Sequence, residues 1–389
     1  MIKAVLLDLD NTLIHNPDRA FATAFLHHFD IFFEARTQQK HLAKHLIAGV
    51  KAQNETRAPQ DTNFQVMINA VLGQLTLGES ELRNTIRDFY DEAYPSLKDC
   101  VQPVSGATDL VHHLIEEGYA VVIATNPLYP LDAVKQRLSW GNLPTDDATY
   151  ALITHYDNMH FSKPDPAYYA EILARVGIEP DEALVVGDSE TNDTFPAHQL
   201  GLHTYHVTSE HNHTIQTLLE QITKHHWLET LMERRLQPKM ITPQYRGNVG
   251  AMYGLLDTVQ SHYWKQQPDP QEWSIIQILC HLAESEHEVQ RPRLQRILAE
   301  DNPFLVAPRT PMGPEMPLCD SDGMRVAGDF AAERSTTLEF IHALDDSAWH
   351  RIARHSIFGP TTLLEMAHFT AQHDRMHLNQ LCQTIGHCA

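Results

Sequence analysis

Four predicted strand ends in the first half of the chain carry polar residues of the kinds that transfer phosphate. They are Asp8-Leu9-Asp10-Asn11-Thr12, Thr125-Asn126, Lys163 in Ser-Lys-Pro, and Gly187-Asp188 with Asp193 five residues after Asp188. Clustered carboxylates repel one another unless a cation neutralises them, and Mg²⁺ prefers carboxylate and phosphate oxygens. A carboxylate can attack phosphorus, a second can move the proton, and a hydroxyl and an ammonium can hold the other phosphate oxygens. These groups therefore predict a phosphoryl-transfer site.

The elements that would position these residues alternate between strand and helix. Apolar runs predict strands at 2–7, 119–124, 150–154, 183–186 and 202–207, with helices between them at 105–117, 130–139, 166–176 and 190–200. This alternation is typical of a doubly wound parallel sheet, in which ligands bind beyond the carboxyl ends of the strands. Residues 18–95 have helical apolar spacing, which predicts helices inserted after the first strand.

The ordered motifs resemble those of the haloacid-dehalogenase superfamily over roughly residues 1–225. Its first motif matches Asp8-x-Asp10-x-Thr12, its second Thr125, its third Lys163, and its fourth Gly187-Asp188-x₄-Asp193. The resemblance implies an α/β fold with a Rossmann-like core at 1–14 and 96–225 and a helical cap insert at 15–95. One subgroup of the superfamily cleaves carbon–halogen bonds and does not keep the second acid of the first motif. Because Asp10 is present, dehalogenation is the less favoured chemistry.

The resemblance also implies roles for individual residues. Asp8 would be the nucleophile and Asp10 the general acid/base. The substrate-binding residues would be Thr125, Asn126 and Lys163. Magnesium would be held by Asp8, Asp10 through its backbone carbonyl, and Asp188, with Asp193 close by. The substrate would be a small phosphorylated metabolite, and the conceivable cap contacts to it are His15, Asn16, Arg19, Arg36 and Arg57, each more simply explained as a solvated residue.

Three histidines in the last part of the chain have the spacing of a metal site. His373 and His377 are four residues apart and share one face of a predicted helix, where two imidazoles can hold one transition metal. A third imidazole from another helix, such as that of His281, would complete the ligand set and leave room for water. In a chain with 26 histidines the pair alone could arise by chance, so surface or hydrogen-bonded histidines are the alternative.

The region 245–387 resembles the DinB-like four-helix-bundle superfamily. The resemblance is carried by Trp273-Ser274, His281-Leu-x-x-Glu284, Gly359-x-Thr361 before the last helix, and His373-x-x-x-His377-Leu378. It implies a divalent metal, zinc or nickel, bound by His281, His373 and His377. Some members of the superfamily transfer groups to or from low-molecular-weight thiols. By analogy, the bundle could also mediate a homodimer.

The predicted elements after residue 213 agree with a bundle. A long helix is expected at 214–235, with a helix end and linker at 226–244 and the bundle domain at 245–389. Helical runs are predicted near 245–265, 271–299, 326–344 and 361–386, where Pro292 would kink or end the second run. No strand is expected in this region, and the proline-rich stretch 300–325 is predicted to be a long loop.

Composition limits the kinds of partner. A formal net charge of −21 argues against non-specific binding to nucleic acid or to an anionic membrane. No run of 18 apolar residues is present, so no membrane span is expected.

Asp8 interrupts the first apolar run, which is unlike a signal peptide, and the five cysteines have no C-x-x-C pair and predict no disulfide framework. Both features favour a cytoplasmic protein.

The sequence therefore predicts a magnesium-dependent phosphate-monoester hydrolase fused to an all-α bundle with a three-histidine metal site. One alternative places the main activity in the bundle, as a metal-dependent thiol transferase with the hydrolase region as an accessory. A second alternative is a non-enzymatic metabolite sensor with a degenerate site. The intact set of Asp8, Asp10, Lys163 and Asp188 argues against the sensor.

Overall fold

The structure is a computed structural model, and it describes residues 1–56, 59–308 and 322–388. The chain forms two compact units, the first of Met1–Tyr169 with Ile178–Arg234 and the second of Ala170–Gly177 with Arg235–Ala389. Half of the loop predicted at 300–325 lies outside the described residues, as does the conceivable cap contact Arg57.

A parallel sheet forms the centre of the first unit. The strands of this unit are β1 (Ala4–Leu7), β2 (Ile14–His15), β3 (Gln102–Pro103), β4 (Ala120–Ile123), β5 (Leu152–Ile153), β6 (Ala183–Gly187) and β7 (His203–His206). The parallel sheet has the order β5-β4-β1-β6-β7, which confirms the predicted fold class, and β2 pairs with β3 in a separate antiparallel ribbon. All four residues of β1 are buried, as expected for a central strand covered on both faces.

The strand register brings the predicted motifs to one edge of the sheet. Leu7, the last residue of β1, lies opposite Ile123 of β4 and Val186 of β6. The residues that follow these three strands therefore meet at the carboxyl edge of the sheet. Asp8 is among them, since it follows Leu7 directly.

The helices of the described residues up to residue 225 match most of the predicted helical stretches. They are α1 (Asp18–Thr37), α2 (Leu42–Glu55), α3 (Asn63–Leu72), α4 (Glu79–Glu92), α5 (Ala107–Glu116), α6 (Leu131–Trp140), α7 (Pro166–Val176), α8 (Phe195–Leu200) and α9 (Ile215–His225). The helix predicted at 214–235 is shorter than expected, because His226 adopts a left-handed conformation that ends α9.

A repeat of phenylalanines explains how α1 packs within the inserted helices. Phe21, Phe25, Phe29 and Phe33 recur every four residues and are all buried, because residues at this spacing share one helix face. The rings of Phe29 and Phe33 are 4.4 Å apart, and the Phe25 ring meets that of Phe89 in α4 edge to face at 5.5 Å. The buried face of α1 is therefore aromatic.

The second unit is mainly helical. Its helices are α10 (Ile241–Leu256), α11 (Ile275–Ser285), α12 (Arg291–Ala299), α13 (Gly323–His342) and α14 (Leu363–Cys388). α10 begins at Ile241, inside the predicted linker. A π-helical turn at Glu286–Gln290 connects α11 to α12, and Pro292, which has no backbone N–H to donate, lies directly after this turn. No helix in the described part of the chain has the length and apolar character needed to cross a bilayer.

A small sheet in the second unit contradicts the expectation that no strand occurs there. Its strands are β8 (Phe304–Leu305), β9 (Ile352–His355) and β10 (Gly359–Thr362), in the order β10-β9-β8. Strands of two to four residues are too short for an alternating pattern to stand out from the surrounding loops. The sheet is therefore a feature that periodicity alone could not predict.

The disulfide state of one cysteine also differs from what the sequence predicted. Cys280 is disulfide-bonded, whereas Cys100 and Cys382 are free. Cysteine spacing along the chain does not show which thiols the fold brings together. The spacing of the cysteines could therefore not predict the disulfide bond of Cys280.

A buried ion triad of Glu286, Arg334 and Asp374 joins three helical segments of the second unit. Arg334 donates to the two oxygens of Glu286 at 3.1 and 2.8 Å and to those of Asp374 at 2.6 and 3.0 Å. Burial acts to lower the pKa of Arg334, but the two carboxylates raise it above its ordinary value. The guanidinium also stacks on the Tyr245 ring at 4.3 Å. One buried guanidinium thus serves both buried carboxylates of the triad.

We expect Arg334→Gln to destabilise the second unit strongly, because it leaves two buried carboxylates without a counter-charge. Breaking a buried ion pair in this way costs about 3–5 kcal/mol. That loss should lower the Tm by more than about 6 °C in scanning calorimetry of the full chain.

Arg325→Gln is the matched control, because Arg325 lies on the same helix but its side chain is 70% exposed and 3.9 Å from Asp329. This variant should shift the Tm by less than about 2 °C. Equal small shifts in both variants would show that the triad does not stabilise the bundle.

Candidate active site and candidate metal site

Asp8 lies at the carboxyl end of the central strand. Asp8 follows the buried strand β1, and its backbone N–H donates to the Val186 carbonyl at 2.9 Å. The residue is 8% exposed. The strand therefore holds the carboxylate in a fixed position at the sheet edge. Burial raises the pKa of Asp8 to about 7, against the opposing effect of the nearby Lys163 ammonium.

Lys163 brings an ammonium group to this carboxylate from the loop between β5 and α7. Its Nζ donates to Asp8 Oδ1 at 2.6 Å and to Asp193 Oδ1 at 2.5 Å. Burial acts to lower the pKa of Lys163, but Asp193 and Asp8 raise it well above the ordinary value. One ammonium serves two carboxylates, so Lys163 stays charged while Asp8 has only a shared counter-charge.

Asp193 is held in place by several donors. Its Oδ1 accepts from the Tyr169 hydroxyl at 3.1 Å as well as from Lys163, and its Oδ2 accepts from the Ser189 N–H at 3.0 Å. Gly187 allows this approach, since a Cβ there would lie 2.4 Å from the Asp193 Cγ. The glycine of the fourth motif is therefore required by close packing of the Asp193 side chain.

Three carboxylates at the sheet edge can hold one cation. Oxygens of Asp8, Asp188 and Asp193 lie within 4.8 Å of one another. The Asp188 side chain is 3.5 Å from the Thr12 hydroxyl, and its backbone carbonyl is 2.8 Å from His206 Nε2. An all-oxygen set of carboxylates fits a hard cation such as Mg²⁺. Because Asp193 already accepts three hydrogen bonds, Asp8 and Asp188 are the better direct ligands.

Asp10 has two partners that fix its side chain. Its Oδ1 accepts from Asn16 Nδ2 at 2.9 Å, and its Oδ2 accepts from Arg137 Nη1. Arg137 is fully buried, and its guanidinium lies 4.3 Å from the centre of the Tyr129 ring. Burial acts to lower the pKa of Arg137, but Asp10 raises it above the ordinary value. The carboxylate of Asp10 is thus oriented by a charged partner.

Arg137 is a site residue that sequence reasoning missed. It lies on the buried face of α6 with Ala133, Val134 and Leu138. A charged residue on an apolar helix face was the available signal, because such a residue is rarely buried without a partner. Which carboxylate it pairs with could not be read from the sequence, since Asp10 is 127 positions away.

Thr125 and Asn126 follow β4 at the same edge of the sheet. Thr125 is buried, and its carbonyl accepts from the hydroxyls of Thr154 at 2.7 Å and Tyr168 at 2.8 Å. The Asn126 Oδ1 is buried and has no hydrogen-bond partner among the described residues. An unpaired amide oxygen in this position is suited to accept from a bound ligand.

The conceivable cap contacts have different surroundings. Asn16 hydrogen-bonds to Asp10, so it belongs to the site. Arg36 instead bonds to Asp88 at 2.8 Å and to Glu92 at 2.5 Å on the protein surface. His15 and Arg19 are exposed. Of the conceivable cap contacts within the described residues, Asn16 is the one that hydrogen-bonds to a candidate catalytic carboxylate.

The second unit brings together the three predicted histidines. His281 comes from α11, and His373 and His377 come from α14. The Nε2 atoms of His281 and His373 are 3.4 Å apart, and ligand nitrogens of all three residues lie within 4.8 Å of one another. Nitrogen atoms at this separation can share one transition metal.

The protonation of these histidines suits metal binding. Burial lowers the pKa of His281 to about 3 and that of His373 to about 4, and the neighbouring imidazoles add to the effect. Burial also lowers the pKa of His377, and its Nδ1 is 3.0 Å from the Gln380 Oε1. A proton on that Nδ1 leaves Nε2 with a free lone pair. The residues present therefore fit a metal such as zinc or nickel.

Two protein-family models match different parts of the chain. The haloacid dehalogenase-like hydrolase family model matches residues 2–201, and the DinB superfamily model matches residues 244–381. Phosphoglycolate phosphatase 1 of Pseudomonas aeruginosa is 28% identical over 138 residues, which are 35% of this chain and 48% of that protein. Pyrophosphatase PpaX of Bacillus cereus is 24% identical over 189 residues, which are 48% of this chain and 75% of that protein.

A solved structure also matches part of the chain. The crystal structure of a HAD phosphatase from Thermococcus onnurineus shares 18% identity, covers 57% of this chain and 98% of its own, and has a TM-score of 0.37. The family assignments themselves come from the two family models, of which the hydrolase model matches more than half of the chain. The chain belongs to the haloacid dehalogenase-like hydrolase family and carries a DinB superfamily domain at residues 244–381.

Proposed function

We propose that the first unit hydrolyses a small phosphate monoester through an aspartyl-phosphate intermediate. The observation that carries this proposal is the cluster of Asp8, Asp188 and Asp193 at one sheet edge, where the buried Lys163 ammonium donates to Asp8 and Asp193. Such a group of charges is costly to bury unless it serves binding or chemistry.

Two displacements at phosphorus would complete the reaction. First, an Asp8 oxygen attacks phosphorus, the bond from phosphorus to the leaving oxygen breaks, and Asp10 donates a proton to that oxygen. Water then attacks the aspartyl-phosphate, Asp10 accepts a proton from the water, and the bond from Asp8 to phosphorus breaks to release inorganic phosphate. Asp10 is therefore restored to its protonated form at the end of each cycle.

The other residues of the site would hold the phosphate and its charge. Lys163 supplies a positive charge, and Thr125 and Asn126 supply polar groups at the same sheet edge. Mg²⁺ bound by Asp8, Asp188 and the Asp10 backbone carbonyl would neutralise charge on the carboxylates and the phosphate. Arg137 and Asn16 would orient Asp10 toward the leaving oxygen.

The named relatives support a small substrate. The two curated relatives are named for phosphoglycolate and for pyrophosphate, which differ in structure but share a phosphoryl group. We therefore propose a small phosphorylated metabolite as the substrate class of the first unit.

Asp8→Asn should abolish hydrolysis, because the amide is a poor nucleophile for phosphorus. We expect Mg²⁺-dependent turnover of p-nitrophenyl phosphate by the metal-stripped, reloaded wild type, and a loss of at least about 1000-fold in the variant. Asp109→Asn, an exposed change on α5, should leave turnover unchanged. Retained turnover in Asp8→Asn would reject Asp8 as the nucleophile.

Arg137→Lys should lower kcat by about 10-fold or more, because lysine keeps the charge but loses the planar fork that orients Asp10. The KM for p-nitrophenyl phosphate should stay within about twofold, since Arg137 is not proposed to contact the phosphate. The exposed Arg87 in α4 provides a matched Arg→Lys control. A Tm lowered together with a raised KM would indicate a purely structural role.

We further propose that the second unit binds one divalent transition metal through His281, His373 and His377. This assignment is supported by the geometry, since ligand nitrogens of the three imidazoles lie within 4.8 Å of one another. The metal-dependent thiol transferase is the alternative main activity. No turnover of phosphate esters by a wild type that contains about one equivalent of zinc or nickel would favour it.

His373→Gln should remove this metal, because it deletes one of three ligands. Elemental analysis of the purified full chain should give about one equivalent of metal in the wild type and much less in the variant. His368→Gln, on the same helix but outside the cluster, should retain the metal, as should Asp8→Asn. Unchanged metal content in His373→Gln would refute the three-histidine site.

A further inference from the structure

We propose that a cavity in the second unit, beside the three histidines, binds a small carboxylate with an apolar body through Arg293 and His355. The cavity has a volume of about 400 Å³, within the range of small-molecule sites. His281, His373 and His377 line it together with Phe358, Phe369 and Met376. Its walls thus combine the candidate metal ligands with a largely apolar and aromatic surface.

Arg293 gives this cavity an unmatched positive charge. The residue is 9% exposed, and its hydrogen bond among the described residues is one donated to the Val306 carbonyl at 3.3 Å. No carboxylate in the described part of the chain forms an ion pair with it. A guanidinium presents a fork of donors that matches a carboxylate. Within the described ranges, the side chain therefore has no carboxylate partner of the kind that a buried arginine normally has.

His355 supplies a second unmatched donor on the wall of the same cavity. Its Nδ1 accepts from the N–H groups of Ile357 at 3.2 Å and Phe358 at 3.4 Å, so the proton of the neutral ring lies on Nε2. The residue is 3% exposed, and Nε2 has no partner among the described residues. A buried N–H without an acceptor is unfavourable, and a ligand oxygen would satisfy it.

Arg293 shares the cavity wall with both His355 and the histidine cluster. Its positive charge lowers the pKa of His355, after the larger effect of burial. An anion held by Arg293 would therefore lie near both the free Nε2–H and the candidate metal ligands. The apolar part of the ligand would contact Phe358 and Phe369.

The donors on the wall of the cavity match a carboxylate. Arg293 is the one arginine or lysine lining the cavity among the described residues, and Glu284 and Glu288 line it as exposed acids. The guanidinium of Arg293 and the Nε2–H of His355 can each donate to a carboxylate oxygen. A carboxylate therefore matches one guanidinium and one N–H donor.

Binding of two simple probes to the full chain as purified tests the proposal. In isothermal titration calorimetry, we expect phenylacetate to bind at least about 10-fold more tightly than uncharged phenylacetamide. Equal binding of acid and amide, or no saturable binding of phenylacetate, would each overturn it. This comparison uses the unaltered chain, so it does not depend on how a variant folds.

Two variants test the named residues. Arg293→Gln should weaken phenylacetate binding by about 10-fold or more and leave phenylacetamide binding unchanged. The control Arg296→Gln removes an exposed arginine of the same helix, paired with Glu300 at 2.7 Å, and should bind as the wild type does. His355→Asn keeps an acceptor for the backbone N–H groups but removes the Nε2–H, and should weaken phenylacetate binding several-fold. Wild-type affinity in Arg293→Gln would overturn the proposal, as would equal losses in Arg293→Gln and Arg296→Gln.

Discussion

The buried ammonium of Lys163 is the constraint on which the first unit's site depends. A positive charge with 2% side-chain exposure is stable only between carboxylates, and Asp8 and Asp193 provide them at 2.6 and 2.5 Å. The central strand must therefore end at Asp8, and the fourth motif must turn Asp193 back toward the sheet. Gly187 makes that turn possible, because any Cβ at that position would overlap the returning side chain.

Both units match buried charge with charge, but their candidate metal ligands differ. The first unit has the pairs Lys163–Asp8 and Arg137–Asp10, and its candidate ligands are aspartates. The second unit has the Glu286–Arg334–Asp374 triad, and burial keeps its histidine cluster neutral. A charged cluster suits a hard cation and a phosphate, whereas neutral imidazoles suit a softer transition metal.

The sequence predicted those parts of the fold that follow from local pattern. The strand ends at Asp8, Thr125 and Asp188 could be found because each follows an apolar run, and the register of a parallel sheet then brings them together. The Arg137–Asp10 pair could not be found, since its partners are far apart in the chain. His355 could not be assigned to a cavity either, because it lies on β9, a strand too short to be recognised by periodicity. Helix ends were also imprecise, as at Ile241, where capping and packing decide the boundary.

Helix α14 carries Asp374 of the ion triad between His373 and His377. One rigid segment therefore supports both the charge network of the core and two of the three candidate metal ligands. A metal ion held by these histidines would bind the folded bundle in preference to the unfolded chain, so its binding energy would add to the stability of the fold. In that case a chelator would act as a denaturant of the second unit, and the persistence of this domain in a cell would follow the local supply of the metal.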